Sequence, residues 1–425
     1  MLHNENREIR SLLHEGRIGL ELESQRTDRS GRLSRTRHPF PGHGPIVRDF
    51  GEAQLEINTR PVESPEAALE ALHDTLKTVH ARLREREELL WPFSNPPIIG
   101  SEEDITIAAF SGAEQPKYQY RRYLAQKYGK YQMTYSGIHF NYSFSEELLR
   151  RSARLDGAET PESYRVWKDR FYLDLAEQVL SHSWVVVALL GASPLTDSSF
   201  FESGRTGQTV FTGSASLRSG PLGYWNHFSP LLSCQSMGEY VKSIQKYIDS
   251  GMIAQASELY YPVRLKSAGA YALDALREQG ADHIELRMID LNPFAQDGIA
   301  LEDLRFLQLL LLWLASRPRK PLDASGQVFA LQNHKNAAAY DWSMIRIAKE
   351  GRFVPLRQAL DEVLTAMEAF FAEADAADRS ALACQREKLR DPTRRYAIRV
   401  RGTFGGDYIR SGLRRAKEIQ EGFYV

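Results

Sequence analysis

Four short segments of this chain alternate apolar and ionisable residues, and nearly all of the ionisable ones are carboxylates. In a β-strand, positions i and i+2 point to the same face. Within Arg17–Gln25 (RIGLELESQ), Glu21 and Glu23 therefore share a face opposite Leu20 and Leu22. Within Glu52–Asn58 (EAQLEIN), Glu52, Gln54 and Glu56 share one opposite Leu55 and Ile57, and Asp49 stands just upstream. His139 and Asn141 oppose Ile138 and Phe140; Glu285 and Arg287 oppose Ile284 and Leu286. One such pair reads most simply as a solvent-facing strand surface, but four in which glutamate replaces the usual Thr, Lys and mixed charges do not. If these strands lie in one sheet, Glu21, Glu23, Glu52, Glu56 and Glu285 converge and repel one another, and something cationic must balance them. Oxygen ligands with one imidazole and no thiol suit the hard cation Mg²⁺, with Mn²⁺ as the alternative. Mg²⁺ shares its coordination sphere with substrate phosphates, so the pattern points to nucleotide chemistry. Asp49 has the opposite parity to Glu56 and can join the site only across a bulge or loop.

The elements that position these residues are partly legible. Gly31, Pro39, Pro41, Gly42 and Gly44 punctuate a loop between the first two alternating segments. Ser64 as N-cap and Pro65 at the first helical position open a helix whose stripe is Leu69, Leu72, Leu76, Val79 and Leu83, predicted to run to Trp91-Pro92. A second helix covers Tyr118–Tyr128 and ends at Gly129, a strand follows over Thr134–Phe144, and helices dominate from Glu162 to Leu190. Asp282–Leu291 is a further strand, and nearly everything after Leu301 is expected to be helical. With no repeat, linker or composition break, residues 1–425 read as one α+β domain, an antiparallel sheet with surrounding helices and a mostly helical C-terminal part from about 301.

Composition excludes several function classes. A net charge of −1, with acids rather than bases on the strands, speaks against a nucleic-acid or membrane-surface partner. The basic stretch Arg26–Arg37 (RTDRSGRLSRTR) reads as a solvated turn. Two cysteines, Cys234 and Cys384, without metal-ligand spacing fit a reducing cytoplasm. The N-terminus lacks the apolar core of a signal peptide, and the apolar runs Phe306–Ala315 and Trp184–Leu190 are shorter than the about 20 residues of a membrane span. There is no P-loop and no GxGxxG. A cytoplasmic protein is expected.

Taken in order, Ile18-Gly-Leu-Glu21-Leu-Glu23, Asp49-Phe-Gly-Glu52-Ala-Gln-Leu-Glu56, Ser136-Gly-Ile-His139-Phe-Asn141, Ser216-Leu-Arg218 with Gly223-Tyr224, and Ile284-Glu285-Leu-Arg287-Met-Ile-Asp290-Leu-Asn-Pro293 resemble the bacterial glutamate–cysteine ligase family, as does Leu190-Gly-Ala-Ser-Pro194. The resemblance implies the glutamine-synthetase-like carboxylate–amine ligase fold, a curved antiparallel sheet with the active site on its concave face. It implies ATP-dependent joining of the γ-carboxylate of glutamate to the amino group of cysteine through a γ-glutamyl phosphate, the first step of glutathione biosynthesis. By the same resemblance Glu21, Glu23, Asp49, Glu56, His139 and Glu285 match metal-binding positions, and Arg287 and Arg121 match residues at the nucleotide phosphates and the transferred phosphoryl group. Arg218 and Asn141 match contacts to the glutamate substrate; Tyr120, Leu124, Tyr224 and Tyr261 match walls of the cysteine pocket. Glu52 has no role to carry over. Met133 stands where the family often has Gln, with Gln132 one position earlier, so either the strand enters shifted by one residue or the pocket is more apolar. At 425 residues, no fused glutathione synthetase domain is expected, and a second protein would add glycine. Two other readings remain open: a γ-glutamyl ligase of the same fold with a different amine acceptor, and a non-catalytic homologue that binds nucleotide or a partner.

Overall fold

The computed structural model describes residues 1–41, 44–110, 112–269 and 271–424; Gly42, one of the loop residues named above, lies outside them. Strands β1 (Gly16–Thr27), β2 (Ile46–Arg48), β3 (Gln54–Asn58), β4 (Leu89–Leu90), β5 (Ile138–Phe144), β8 (Val263–Lys266) and β9 (His283–Ile289) form one open sheet; the intervening β6 (Leu195–Asp197) and β7 (Thr209–Phe211) pair separately. Neighbours run β2-β3-β1-β5-β9-β8, with β4 beside the end of β1, and each pairing is antiparallel.

The alternation read from the sequence sets the two faces. Ile18, Leu20, Leu22, Leu55, Ile57, Ile138, Phe140, Ile284 and Leu286 are each at most 2% exposed and enter one core with side chains of the Pro65–Arg84, Pro161–Leu190 and Leu301–Ala315 helices. Each such side chain contributes about 1.5–3 kcal/mol relative to exposure. A one-residue slip of β1 would send Glu21 and Glu23 into that core, so the burial of the leucines dictates where the acids point.

Several boundaries differ from expectation. The first long helix ends at Arg84, short of Trp91-Pro92, because the chain must turn back for Leu89–Leu90 to pair with β1. Residues 132–134 form a 3₁₀ turn, and β5 begins only at Ile138. Glu52 precedes β3 and takes no part in its ladder. The C-terminal part includes a hairpin, β10 (Arg346–Lys349) with β11 (Arg352–Pro355), too short to leave a periodic signal. Trp184–Leu190 is the end of a continuous 30-residue helix, Pro161–Leu190, which is long and apolar enough to cross a membrane. Its most apolar stretch is 89% buried inside the fold, so here it is a core helix.

Candidate active site

The polar face of the sheet opens onto a cavity of about 410 Å³. Twelve of the residues anticipated from sequence line it: Glu21, Glu23, Asp49, Glu56, Tyr120, Arg121, Leu124, His139, Arg218, Tyr224, Tyr261 and Arg287. The ladder brings the acids together. Glu21 pairs with His139 across β1 and β5, Glu23 with Glu56 across β1 and β3, and Asn141 with Glu285 across β5 and β9. Asp49 reaches the cavity because the chain loops out between β2 and β3, which removes the parity conflict.

Two groups of acids result. In the first, ligand atoms of Glu21, His139 and Glu285 all lie within 4.8 Å of one another. His139 Nδ1 is 3.0 Å from Glu21 Oε2, and Asn141 Nδ2 donates to Glu21 Oε1 at 3.1 Å. Lys266 Nζ sits between Glu21 Oε1 at 2.7 Å and Glu285 Oε1 at 2.9 Å, while Arg287 and Arg264 approach Glu285 Oε2 at 3.1 and 3.6 Å. Burial pushes the Glu285 carboxyl up, but the charges of Arg287, Lys266 and Arg264 outweigh it and hold the group ionised. Glu21 balances similarly: burial and Glu285 raise it, and His139 with Lys266 bring it down to about 2. Burial and Arg287 lower His139 to about 4, so its imidazole is neutral near pH 7.

In the second group no Lys or Arg pairs directly with the acids among the described residues, and Arg218, Arg287 and Arg121 act on them only at longer range. Burial, then the charge of Asp49, lifts Glu23 well above the ordinary carboxylate range. Burial with Asp49 and Glu21 lifts Glu56 to about 8, and burial raises Asp49 against the pull of Arg121. Directly opposed like charges destabilise a sheet. His139 Nδ1 faces Glu21 Oε2 and Glu285 Oε1, at 3.0 and 3.5 Å, and Nε2 faces Glu23 Oε1 at 3.7 Å. Buried carboxylates crowded around one imidazole fit a divalent cation, and a set of oxygens with that single nitrogen fits a hard one.

The arginines are positioned by backbone. Arg121 Nε donates to the Asp49 carbonyl at 2.5 Å, which ties the Gln115–Tyr128 helix to the acid-bearing loop. Arg218 Nη1 donates to the Ile289 carbonyl at 3.2 Å and crosses directly over Gly137. A Cβ at Gly137 would stand 2.6 Å from the Arg218 guanidinium carbon, which explains the glycine in Ser136-Gly137-Ile138-His139. Asp290 supplies the role of two further segments. Its Oδ2 accepts from the Ala192 N–H at 2.9 Å and the Ser193 hydroxyl at 2.7 Å, and its Oδ1 accepts from Ser216 at 3.0 Å. The Gly191–Pro194 turn and the Ser216–Arg218 loop are thereby held beside β9.

The far end of the cavity is aromatic. The Tyr224 and Tyr260 ring centroids are 3.9 Å apart, and the Tyr224 hydroxyl donates to Met133 Sδ at 3.5 Å. Met133 lines the cavity where the sequence left a choice between Met and Gln, so the wall is the more apolar one.

The structure refines three expectations. Asn141 does not line the cavity; its amide holds Glu21. Tyr261 lines the cavity as expected while also packing in the main core, and Tyr260, packed with Leu124 and Met133, joins it in the wall. Glu52 accepts from the His38 and Ala109 N–H groups at 2.8 and 3.1 Å, a structural role that removes it from the acid cluster. Sequence reasoning also missed Arg264 and Lys266. The alternation Val263-Arg264-Leu265-Lys266 was the available signal, too short to stand out.

Comparison with known proteins agrees with this geometry. Residues 2–337 match the family model described as glutamate-cysteine ligase. A glutathione biosynthesis bifunctional protein of Listeria monocytogenes is 33% identical over 438 residues, covering 98% of this chain and 56% of that protein. A glutamate–cysteine ligase of Clostridium acetobutylicum is 30% identical over 409 residues, covering 83% of each. Among solved structures, a bifunctional glutathione synthetase from Pasteurella multocida superposes with a TM-score of 0.84 at 26% identity, over 99% of this chain and 54% of that one. The chain thus spans about half the length of the bifunctional relatives it matches. That overturns the expectation of no fused glutathione synthetase domain: length carries no such conclusion when the matched relatives join both activities in one protein. The open antiparallel sheet and its polar-face cavity are the glutamine-synthetase-like architecture expected. On the family model, the curated relatives and the shared fold together, the chain belongs to the glutamate–cysteine ligase family.

Proposed function

We propose that this protein uses ATP to join the γ-carboxylate of glutamate to the amino group of cysteine, giving γ-glutamylcysteine, ADP and phosphate. The observation that carries this reading is one cavity bordered by two carboxylate groups, four arginines and an aromatic end. A carboxylate resists attack because oxide would have to leave. Transfer of the γ-phosphoryl group of ATP to the glutamate γ-carboxylate gives an acyl phosphate, the amine attacks its carbonyl carbon, and phosphate departs with the C–O bonding pair. Such a transfer asks the protein mainly for positioning and charge neutralisation.

Glu21, His139 and Glu285 are the candidate ligands of one divalent ion, and Glu23, Asp49 and Glu56 of further metal. Mg²⁺ is the favoured ion and Mn²⁺ the alternative; when bound it would neutralise phosphate charge. Arg287 and Arg121 face the phosphates, Arg218 receives the donor carboxylate, and Tyr120, Leu124, Tyr224 and Tyr260 enclose the acceptor. Asn141 serves through Glu21. We take residues 1–425 as one catalytic domain, supported by a core cluster that includes both Leu2 and Phe423. The free thiols Cys234 and Cys384 fit a cytoplasmic setting.

Met133 favours a second reading, the same chemistry with another amine. ATP turnover with glutamate and a panel of amines separates the two. Cysteine is expected to be the preferred acceptor. Equal turnover with unrelated amines overturns the acceptor and keeps the ligase; no glutamate-dependent ADP formation with any amine overturns both.

A further inference from the structure

The walls of the aromatic end come from three separate stretches of chain: Tyr120 and Leu124 from the Gln115–Tyr128 helix, Tyr224 from a loop, and Tyr260 from the segment before β8. Behind them, outside the cavity, the three stretches meet at one buried polar cluster. Glu258 is 0% exposed, and its Oε1 accepts from Lys127 Nζ at 2.5 Å and from the Tyr128 hydroxyl at 2.8 Å, while its Oε2 accepts from the Ala254 N–H at 2.6 Å. Asn226 completes the connection. Its Nδ2 donates to the Tyr128 hydroxyl at 2.9 Å and to the Glu258 carbonyl at 2.8 Å, and its Oδ1 accepts from the Tyr260 N–H at 2.8 Å.

We propose that Glu258, with Asn226, is the positioning residue of the amine-acceptor subsite: it locks the helix that carries Tyr120 and Leu124 against the segments that carry Tyr224 and Tyr260, and so sets the width of the pocket. Neither residue lines the cavity, so each acts only through the walls. A buried carboxylate is suited to this because it stays put only while its donors do. Withdrawing one donor leaves charge unpaired in low dielectric, and the cluster holds or opens as a unit. Among the described residues the other ties of the helix are weaker: Ser257 Oγ donates to the Tyr120 hydroxyl at 3.3 Å, and Arg121 donates only to backbone carbonyls. The acid groups on β1, β3, β5 and β9 are held by the sheet ladder and do not depend on the cluster.

The proposal rests on the ligase reading for what fills the pocket, and its test separates the two. Glu258→Gln and, at its cationic donor, Lys127→Met are compared with the wild-type chain by backbone hydrogen exchange and by steady-state kinetics with ATP, glutamate and cysteine. Exchange over 115–128 is expected to rise about tenfold in both variants with β1 and β9 unchanged. KM for the amine is expected to rise about tenfold, with KM for ATP and glutamate within about twofold and discrimination among amines relaxed. Unchanged exchange over 115–128 overturns the proposal, even if the wild type proves inactive on every amine and the ligase reading falls. Faster exchange with an unchanged amine KM, or an equal rise in all three KM values, also overturns it. If Glu258→Gln does not fold, Lys127→Met alone decides between these outcomes.

Discussion

The two ends of the cavity are held by different means. At the sheet end every candidate ligand except Asp49 lies on a strand, and its neighbour follows from register: Glu21 against His139, Glu23 against Glu56. At the aromatic end the walls come from a helix, a 3₁₀ turn and loops, of which the helix and loops are joined through Glu258 and Asn226. A ladder position cannot move without moving its strand, and strand movement is opposed by the whole buried face. Loop and helix-face positions move at smaller cost. In the proposed function, phosphoryl chemistry falls where geometry is most constrained and selection of the amine where positions move at smaller cost.

Four changes break or sharpen that contrast. Glu21→Gln removes a charge shared by His139, Asn141 and Lys266, and metal-dependent ADP formation is expected to fall about 10²–10³-fold or more with the circular dichroism spectrum unchanged. Full activity sinks the ligand assignment. Next in size, Gly137→Ala places a Cβ 2.6 Å from the Arg218 guanidinium carbon and 2.8 Å from the Ile289 carbonyl oxygen. The resulting displacement is expected to raise KM for glutamate about 10–100-fold with KM for ATP little changed. An unaltered glutamate KM removes Arg218 from the donor subsite.

The third change is pH. Glu56 has its carboxyl raised to about 8 from an ordinary 4.5, so between those values the fold keeps a proton that the unfolded chain has released. Stability of chelator-treated protein is therefore expected to fall as pH rises from 5 to 8, and added Mg²⁺, which requires the ionised form, to offset the fall. Apparent metal affinity is expected to rise about tenfold per pH unit over the lower part of that range, where one proton is displaced, and to level off toward pH 8. Melting curves at a series of pH values test this, and Glu56→Gln is expected to flatten them; a profile unaffected by that substitution contradicts the assigned crowding. The smallest effect belongs to the aromatic end. Met133→Gln is expected to shift KM for the amine only about three- to tenfold and leave ATP and glutamate KM alone, consistent with the modest energy of one side chain in a pocket. An equal change in glutamate KM would show that the two ends are not independent.

Legibility followed the same division. Glu21, Glu23, Glu56, His139 and Arg287 were found by period-two alternation, because one buried face forces the other to be shared. Glu52 obeyed the same arithmetic and is elsewhere, since the ladder of β3 begins only at Gln54. Tyr260 and Tyr261 are adjacent and identical, so only packing shows that both border the cavity, one from the aromatic cluster and the other from the main core. Lys266 was invisible: a four-residue strand gives two positions per face, too few to count as a pattern.

For this protein, the amino-acid sequence alone determined the strands with one acidic face, the need for a balancing cation and, through ordered motifs, the family. Those follow from local period and from residue chemistry. The tertiary structure decided what depends on contacts far apart in the chain. Lys266 lies between Glu21 and Glu285, Asp290 holds two distant loops, and Glu258 joins three stretches behind the pocket. No local pattern encodes such meetings, because each depends on which elements the core brings together rather than on the spacing of neighbours along the chain.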